Sequence, residues 1–275
     1  MADTGTTPTL STSRRALVRG AAWSVPVVTM AATAPAFAAS PCSDRYTYQL
    51  NWGTTPYSRT SFRASSATVS SLDSSAVTVS FASVSYSNDV VNNTTTSNNR
   101  PDQTRNLTVP ANTGTGTTQD PVVTSLGGRQ GERGVMLYHA ASTPGRGNRQ
   151  EVTITFSRPV RGLSFYVTDI DTITNPAYSD RVEVLARTGT GAIVGFANVK
   201  DGVTGNGVNG DPWLRAGDSN VGENAGGAQV QVNFPTTTTG AADVKTVTIT
   251  YWNNSGGTQY HRVFLGDLNF TAIGC

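Results

Sequence analysis

Asp169, Asp171 and Asp180 come nearest, by type and spacing, to a reactive cluster in this chain. Two aspartates separated by one residue at a strand end project to the same side. Asp180, returning after a short loop, adds a third carboxylate, and Asn175 offers an amide oxygen. Oxygens converging at a sheet edge suit Ca²⁺, which takes roughly six to eight of them. The same aspartates are equally suited to capping turns and pairing with Arg181 or Arg161, which needs no metal.

A second set suits carbohydrate. Trp52, Trp213 and Trp252, with Tyr251 and Tyr260, offer aromatic faces on which a sugar ring can stack. Trp213 lies in a Gly/Asn-rich stretch beside Asp211, so Trp213 and Asp211 are the expected ligand-binding pair. Trp52 and Trp252 fall in strand patterns and would serve as well in a core. Signatures of catalysis are poor. There are 2 histidines, His139 and His261, with no Gly-x-Ser-x-Gly elbow and no His-Glu-x-x-His helix. Gly217-Asp218-Ser219 matches the opening of an esterase motif but has no later Asp-x-x-His. Asp169 or Asp171 with Glu183 or Glu223 offers a glycosidase pair, for which two carboxylates about 5–10 Å apart suffice. No residue is assigned as catalytic, and the expectation is a protein that is not an enzyme.

Positioning these residues falls to strands. Of 275 residues, 37% are hydrophobic and 14% charged, well under the usual charged share of about 25%. Thr, Ser, Gly and Asn fill the difference, which excludes a coiled coil, a helical bundle and a charged disordered tail. Period-2 alternation dominates. It predicts strands over Tyr46–Trp52, Ala76–Tyr86, Gly134–His139, Glu151–Phe156, Gly162–Thr168, Arg181–Ala186, Ile193–Val199, Ala228–Phe234, Val244–Trp252 and Arg262–Ala272, with a bulge near Lys245. Two long polar loops interrupt them, Ser87–Pro121 (with a short strand at Asn106–Val109) and Lys200–Gly227. The expected fold is an all-β sandwich of jelly-roll or Greek-key type with long Gly/Asn/Thr-rich loops. No run reaches the roughly 18 apolar residues of a membrane-spanning helix.

The run Glu151-Val152-Thr153-Ile154-Thr155-Phe156-Ser157-Arg158-Pro159-Val160 leads into Leu163-Ser164-Phe165-Tyr166-Val167-Thr168-Asp169-Ile170-Asp171 and then Asp180-Arg181-Val182-Glu183-Val184. With Val203–Gly207, Asp211-Pro212-Trp213 and the closing Gly266-Asp267-Leu268-Asn269-Phe270, it resembles the extracellular β-sandwich modules of bacterial secreted and surface proteins, often adhesin-like. The resemblance covers about half the chain, from Leu137 onward. It implies fold and location, since such modules share no single activity.

Residues 1–38 read as an export signal. Ser13-Arg14-Arg15-Ala16-Leu17-Val18-Arg19 resembles the twin-arginine consensus, Gly20–Ala34 is mildly apolar, and Ala36-Phe37-Ala38 is a small-x-small cleavage pattern. Cleavage after Ala38 leaves one domain, 39–275, with its long polar loop at 87–121. The general secretory route is the alternative. Losing Arg14, Arg15, Arg19 and Asp3 makes the mature chain formally neutral, so nothing electrostatic points to nucleic acid or anionic membrane. Cys42 and Cys275 would join the two ends by a disulfide in an oxidising compartment, the alternative being free or intermolecular thiols. Cys42 follows a poor lipobox and residues 269–275 carry no wall-anchoring motif, so the protein is expected to be secreted, held at most loosely to the cell wall. Three readings of function follow. The first is a non-catalytic surface-interaction or structural role in the envelope or outside the cell. The second is a carbohydrate-binding module, with or without calcium, and the third a secreted hydrolase.

Overall fold

A computed structural model describes residues 44–71, 75–86, 105–114, 116, 120–139, 143–174, 177–236, 243–255 and 261–274. The chain divides into Met1–Cys42 and Ser43–Cys275, and all described residues belong to the second unit. Arg14, Arg15, Ala36, Ala38, Cys42, Cys275, Asn175, Tyr260 and most of the 87–121 loop lie outside them.

Alternation of β-branched and small polar residues produces sixteen strands in the described residues. They are β1 Arg45–Leu50, β2 Tyr57–Ser61, β3 Ala64–Val69, β4 Val77–Ser85, β5 Val135–His139, β6 Gln150–Thr168, β7 Thr172–Thr174 and β8 Ala177–Arg187. The rest are β9 Ile193–Val194, β10 Ala197–Asp201, β11 Val203–Thr204, β12 Leu214–Arg215, β13 Gln229–Asn233, β14 Val244–Asn253, β15 His261–Leu265 and β16 Leu268–Ile273. Every pairing among the described residues is antiparallel, and short 3₁₀ turns lie at Leu126–Gly128 and Arg146–Asn148.

The molecule is a β-sandwich whose two layers share β6. The first half of β6 lies between β4 and β14, in the order β2-β3-β4-β6-β14-β8-β7. Its second half carries β16 and then β1 on one edge, and β13 and then β10 on the other. β15 continues along the end of β6 and hands on to β5. The alternation predicts two strands over this stretch, where the structure has one. Val152, Ile154, Phe156 and Val160 are buried at even positions, whereas Leu163, Phe165 and Val167 are buried at odd ones. That change of phase falls at Gly162, whose φ of +59° suits glycine, and the pairing with β16 slips there. Just before it, Ser157–Pro159 turns outward as the strand passes between layers. Pro159 has no N–H to leave unpaired at the crossing.

Both layers turn their apolar faces inward. Val79, Phe81, Ile154, Val247, Ile249 and Val184 from one meet Phe165, Val167, Val230, Val232, Phe270 and Leu268 from the other in one core. Trp52 is buried in the core, and Trp252, also buried, alternates to the outer face of β14, where Arg146 lies 5.9 Å from its ring. The indole N–H of Trp52 donates to the Gly266 carbonyl at 2.8 Å, and its ring meets Tyr57 edge-on. The predicted bulge near Lys245 appears as a register slip between Val244 and Thr246. The closing run predicted as one strand divides at Gly266-Asp267 into β15 and β16. β2 and β3 escape the sequence pattern because YSRTS and ASSATV carry few apolar residues; what orders β3 is its full register with β4. The β1–β16 pairing ends with the Gly274 N–H donating to the Asp44 carbonyl at 3.0 Å.

Candidate functional site

Two groups of carboxylates occupy different places on this frame. The first gathers Asp169, Asp171 and Asp180, with Glu223 joining from the 216–227 loop. β6 ends at Thr168, and Asp169 takes a φ of +65°, so the strand alternation expected to carry Asp169 and Asp171 together stops short of them. All three aspartates are buried. Asp180 accepts the Tyr251 hydroxyl at 2.7 Å on one oxygen and the Asp171 backbone N–H at 3.0 Å on the other. Asp171 accepts the Val221 N–H at 3.1 Å, and its other oxygen has no hydrogen-bond partner among the described residues. The cation beside Asp169 is Arg262, at 3.6 Å, which also reaches Glu223 at 3.6 Å. Arg161 instead pairs with Asp243, and Arg181 donates to the Ser179 hydroxyl and the Asp180 carbonyl.

Burial dominates the acidity of this cluster. It pushes Asp171 up to about 7, helped by the neighbouring Asp180, and Asp180 up to about 8 against the two hydrogen bonds it accepts. Asp169 is raised well above the ordinary carboxylate range for the same reason. The calcium expectation falls on these same three aspartates. Among the described residues no group of three or more His, Cys, Asp or Glu side chains could hold a metal ion. Both oxygens of Asp180 and one of Asp171 already accept protein N–H or O–H groups, and Asp169 faces a guanidinium. The cluster closes one end of the sandwich and fastens the 216–227 loop to it, with Thr172 and Ser219 forming an isolated bridge.

The aromatic expectation is corrected. Trp213 is 0% exposed, and its ring meets Phe196 edge-on at 5.8 Å. Its backbone pairs with Val182 of β8, and a Cβ at Gly207 would collide with the indole, so only glycine lets the 205–211 turn close over the ring. Tyr251 is also buried, so Trp52, Trp213, Trp252 and Tyr251 form no exposed platform. Asp211 is half-buried and accepts the Asn206 amide at 2.7 Å within the same turn. A loop tryptophan beside Asp-Pro reads as exposed in sequence. Here it is the anchor under the turn.

The second carboxylate group lies on the outer face of the first layer, where an open groove of about 740 Å³ crosses β6, β14 and β8. Register puts Val84, Glu151, Thr250 and Glu183 in one row across β4, β6, β14 and β8, with Ala82, Thr153, Thr248 and Leu185 in the next. A row of four strands spans about 14 Å. Ile193, Val194 and Phe196 border one side, and Arg146, Asn206, Val208 and Asn209 also line the groove. Exposed large apolar side chains concentrate here. Of the six among the described residues, Leu185, Ile193 and Val208 line the groove, and Val84 and Tyr86 stand at its β4 end.

Both glutamates of this face are paired. Glu151 accepts the Arg149 guanidinium at 2.7 Å and the Tyr86 hydroxyl at 2.9 Å, and Arg149 stacks 3.9 Å over the Tyr86 ring. Glu183 accepts two N–H groups of Arg146, at 3.0 and 2.8 Å, and the Gly210 N–H at 3.2 Å. Strand alternation places Glu183 on the face of β8 opposite Val182 and Val184. Nothing in the sequence says that Arg146, thirty-seven positions upstream, comes to meet it.

Fold and site together define an all-β sandwich with a mixed polar and apolar groove across one outer face. No family model matches the chain, and no curated protein does. Among solved structures it is similar to a carbohydrate-binding module with specific mannan recognition, at 15% identity, covering 50% of this chain and 73% of that one with a TM-score of 0.27. So partial an overlap adds nothing to the fold that the strands already define.

Proposed function

We propose that this protein is an exported, non-catalytic binding module, and that the groove over β6, β14 and β8 holds a carbohydrate chain of a surface or extracellular polymer. The groove lining carries this reading. Thr248, Thr250, Asn198, Asn206 and Asn209 present hydroxyls and amides, while Leu185, Ile193 and Val208 present apolar patches between them. A sugar offers the complement, with hydroxyls at its rim and C–H groups on its faces. Burying a few well-placed polar contacts among apolar surface is how such sites gain both affinity and orientation. Export by the twin-arginine route, with the chain folded before it crosses, belongs to the same proposal.

Affinity electrophoresis through gels containing hydroxyethylcellulose, xylan, laminarin or amylose tests it. At least one polymer should retard the wild-type protein, and Leu185→Glu, placed in mid-groove, should migrate freely through that gel. Unretarded wild type across all four polymers would overturn the proposal.

A further inference from the structure

Glu183 is 4% exposed although it points outward from mid-strand, because two separate pieces of chain close over it. One is the 3₁₀ turn Arg146–Asn148 ahead of β6, the other the turn 207–210 between β11 and β12. Its two carboxylate oxygens are divided between them, one taking the Arg146 guanidinium and the other the Gly210 N–H. The 207–210 turn is tied again beside it, where the Val184 N–H donates to the Gly207 carbonyl at 2.7 Å. Arg146 keeps 42% of its side chain exposed and reaches past the Trp252 ring at 5.9 Å. Thus the most exposed cation lining the groove is compensated from beneath by a carboxylate that solvent hardly touches.

We infer that Glu183 is the specificity-determining residue of the groove: it pins Arg146 and the 207–210 turn in place and cancels the charge of Arg146, so that the site takes an uncharged chain in preference to an acidic one. This rests on the groove being the binding site. Glu151 does the same for Arg149 at the β4 end, which leaves hydroxyls, amides and apolar groups to meet the ligand. Glu183 touches no ligand in this scheme and acts through Arg146 and Gly210, so it is a positioning residue.

Two measurements separate the inference from its foundation. Hydrogen exchange on the free protein reads the pinning. Glu183→Ala should speed exchange at least tenfold in peptides covering 143–150 and 205–212 and leave β1–β16 protected, and unchanged exchange in those peptides would overturn the inference whatever binds. Affinity electrophoresis reads the charge. Glu183→Gln keeps the volume and one acceptor but removes the carboxylate paired with Arg146, so retardation by polygalacturonate should appear where the wild type shows none. A purely structural glutamate would lower the melting temperature without changing ligand-charge preference, and that result would also overturn it. Where either variant fails to fold, Arg146→Gln, at a half-exposed position, tests the same pair and should speed exchange over 143–150 alone. Wild type that binds neither neutral nor acidic polymer refutes the carbohydrate reading, and the pinning then stands or falls on exchange.

Discussion

The sandwich carries two groups of carboxylates that solve burial in opposite ways. At the end of the sandwich, Asp169, Asp171 and Asp180 are packed together with too few cations, and burial lifts Asp171 to about 7 and Asp180 to about 8. On the outer face of the first layer, Glu151 and Glu183 each have an arginine of their own. The first group is shifted toward its protonated form and works as hydrogen-bonding cement. The second is met pair by pair, Glu151 by Arg149 and Glu183 by Arg146. A buried carboxylate is therefore informative only with its partners, and the partners here come from distant parts of the chain.

The sharpest break between the two groups should come from truncation. Asp180→Ala strands the Tyr251 hydroxyl and the Asp171 N–H in the interior, at about 1–3 kcal/mol for each unmet group. Glu151→Ala removes a partly exposed pair, for which about 1 kcal/mol or less is expected. Urea unfolding should thus separate the two variants by a factor of two or more in lost stability. Equal losses would erase the distinction.

Titration should follow. An aspartate whose folded pKa is raised holds a proton that the unfolded chain has released, so stability falls as pH rises toward the folded pKa and levels off above it. His139, lowered to about 4 by burial, and Asp267, raised to about 6, act mainly below pH 6.5. Between pH 6.5 and 8 the buried aspartates govern, and the melting temperature should drop by several degrees, on the order of 2 kcal/mol. Asp180→Asn should flatten that slope.

A smaller effect belongs to the groove. Thr248→Val and Thr250→Val together should weaken polymer binding about three- to tenfold, the worth of one or two hydrogen bonds, with little change in melting temperature. The smallest belongs to calcium. With both oxygens of Asp180 and one of Asp171 already accepting protein donors and Asp169 facing Arg262, the aspartate cluster should give melting midpoints within about 1 °C in EDTA and in millimolar Ca²⁺, whereas a ligand at a hundred times its dissociation constant would add about 2.7 kcal/mol. A clear upward shift abolished by Asp171→Asn would restore the metal site.

Much of this frame is legible in the sequence, and the reasons are local. Val152, Ile154 and Phe156 announce their strand by period alone, as do Leu163, Phe165 and Val167, and the slip at Lys245 shows in the spacing of Val244 and Val247. What sequence spacing could not give is the joining of those first two runs into β6, since Gly162 inverts the phase without ending the strand. Asp169, Asp171 and Asp180 were legible as neighbours. Their chemistry was not, because it depends on Tyr251, Val221 and Arg262 arriving from other elements. Trp213 misleads for a similar reason, as its burial is decided by Gly207 and Phe196. The groove left no motif at all. Its threonines and asparagines are ordinary strand and turn residues until register sets them side by side.

The sharing of β6 by both layers also governs when this protein can fold. β13, β14, β15 and β16 all pair with β6, although each follows it in the sequence. The first layer is therefore complete only when β14 has joined β6, and the second only when β16 has. Long-range pairing of this kind folds slowly, in milliseconds to seconds, because loop closure must precede the contacts that reward it. Until β13, β14, β15 and β16 arrive, β6 keeps open pairing edges of the kind that invite association with other chains.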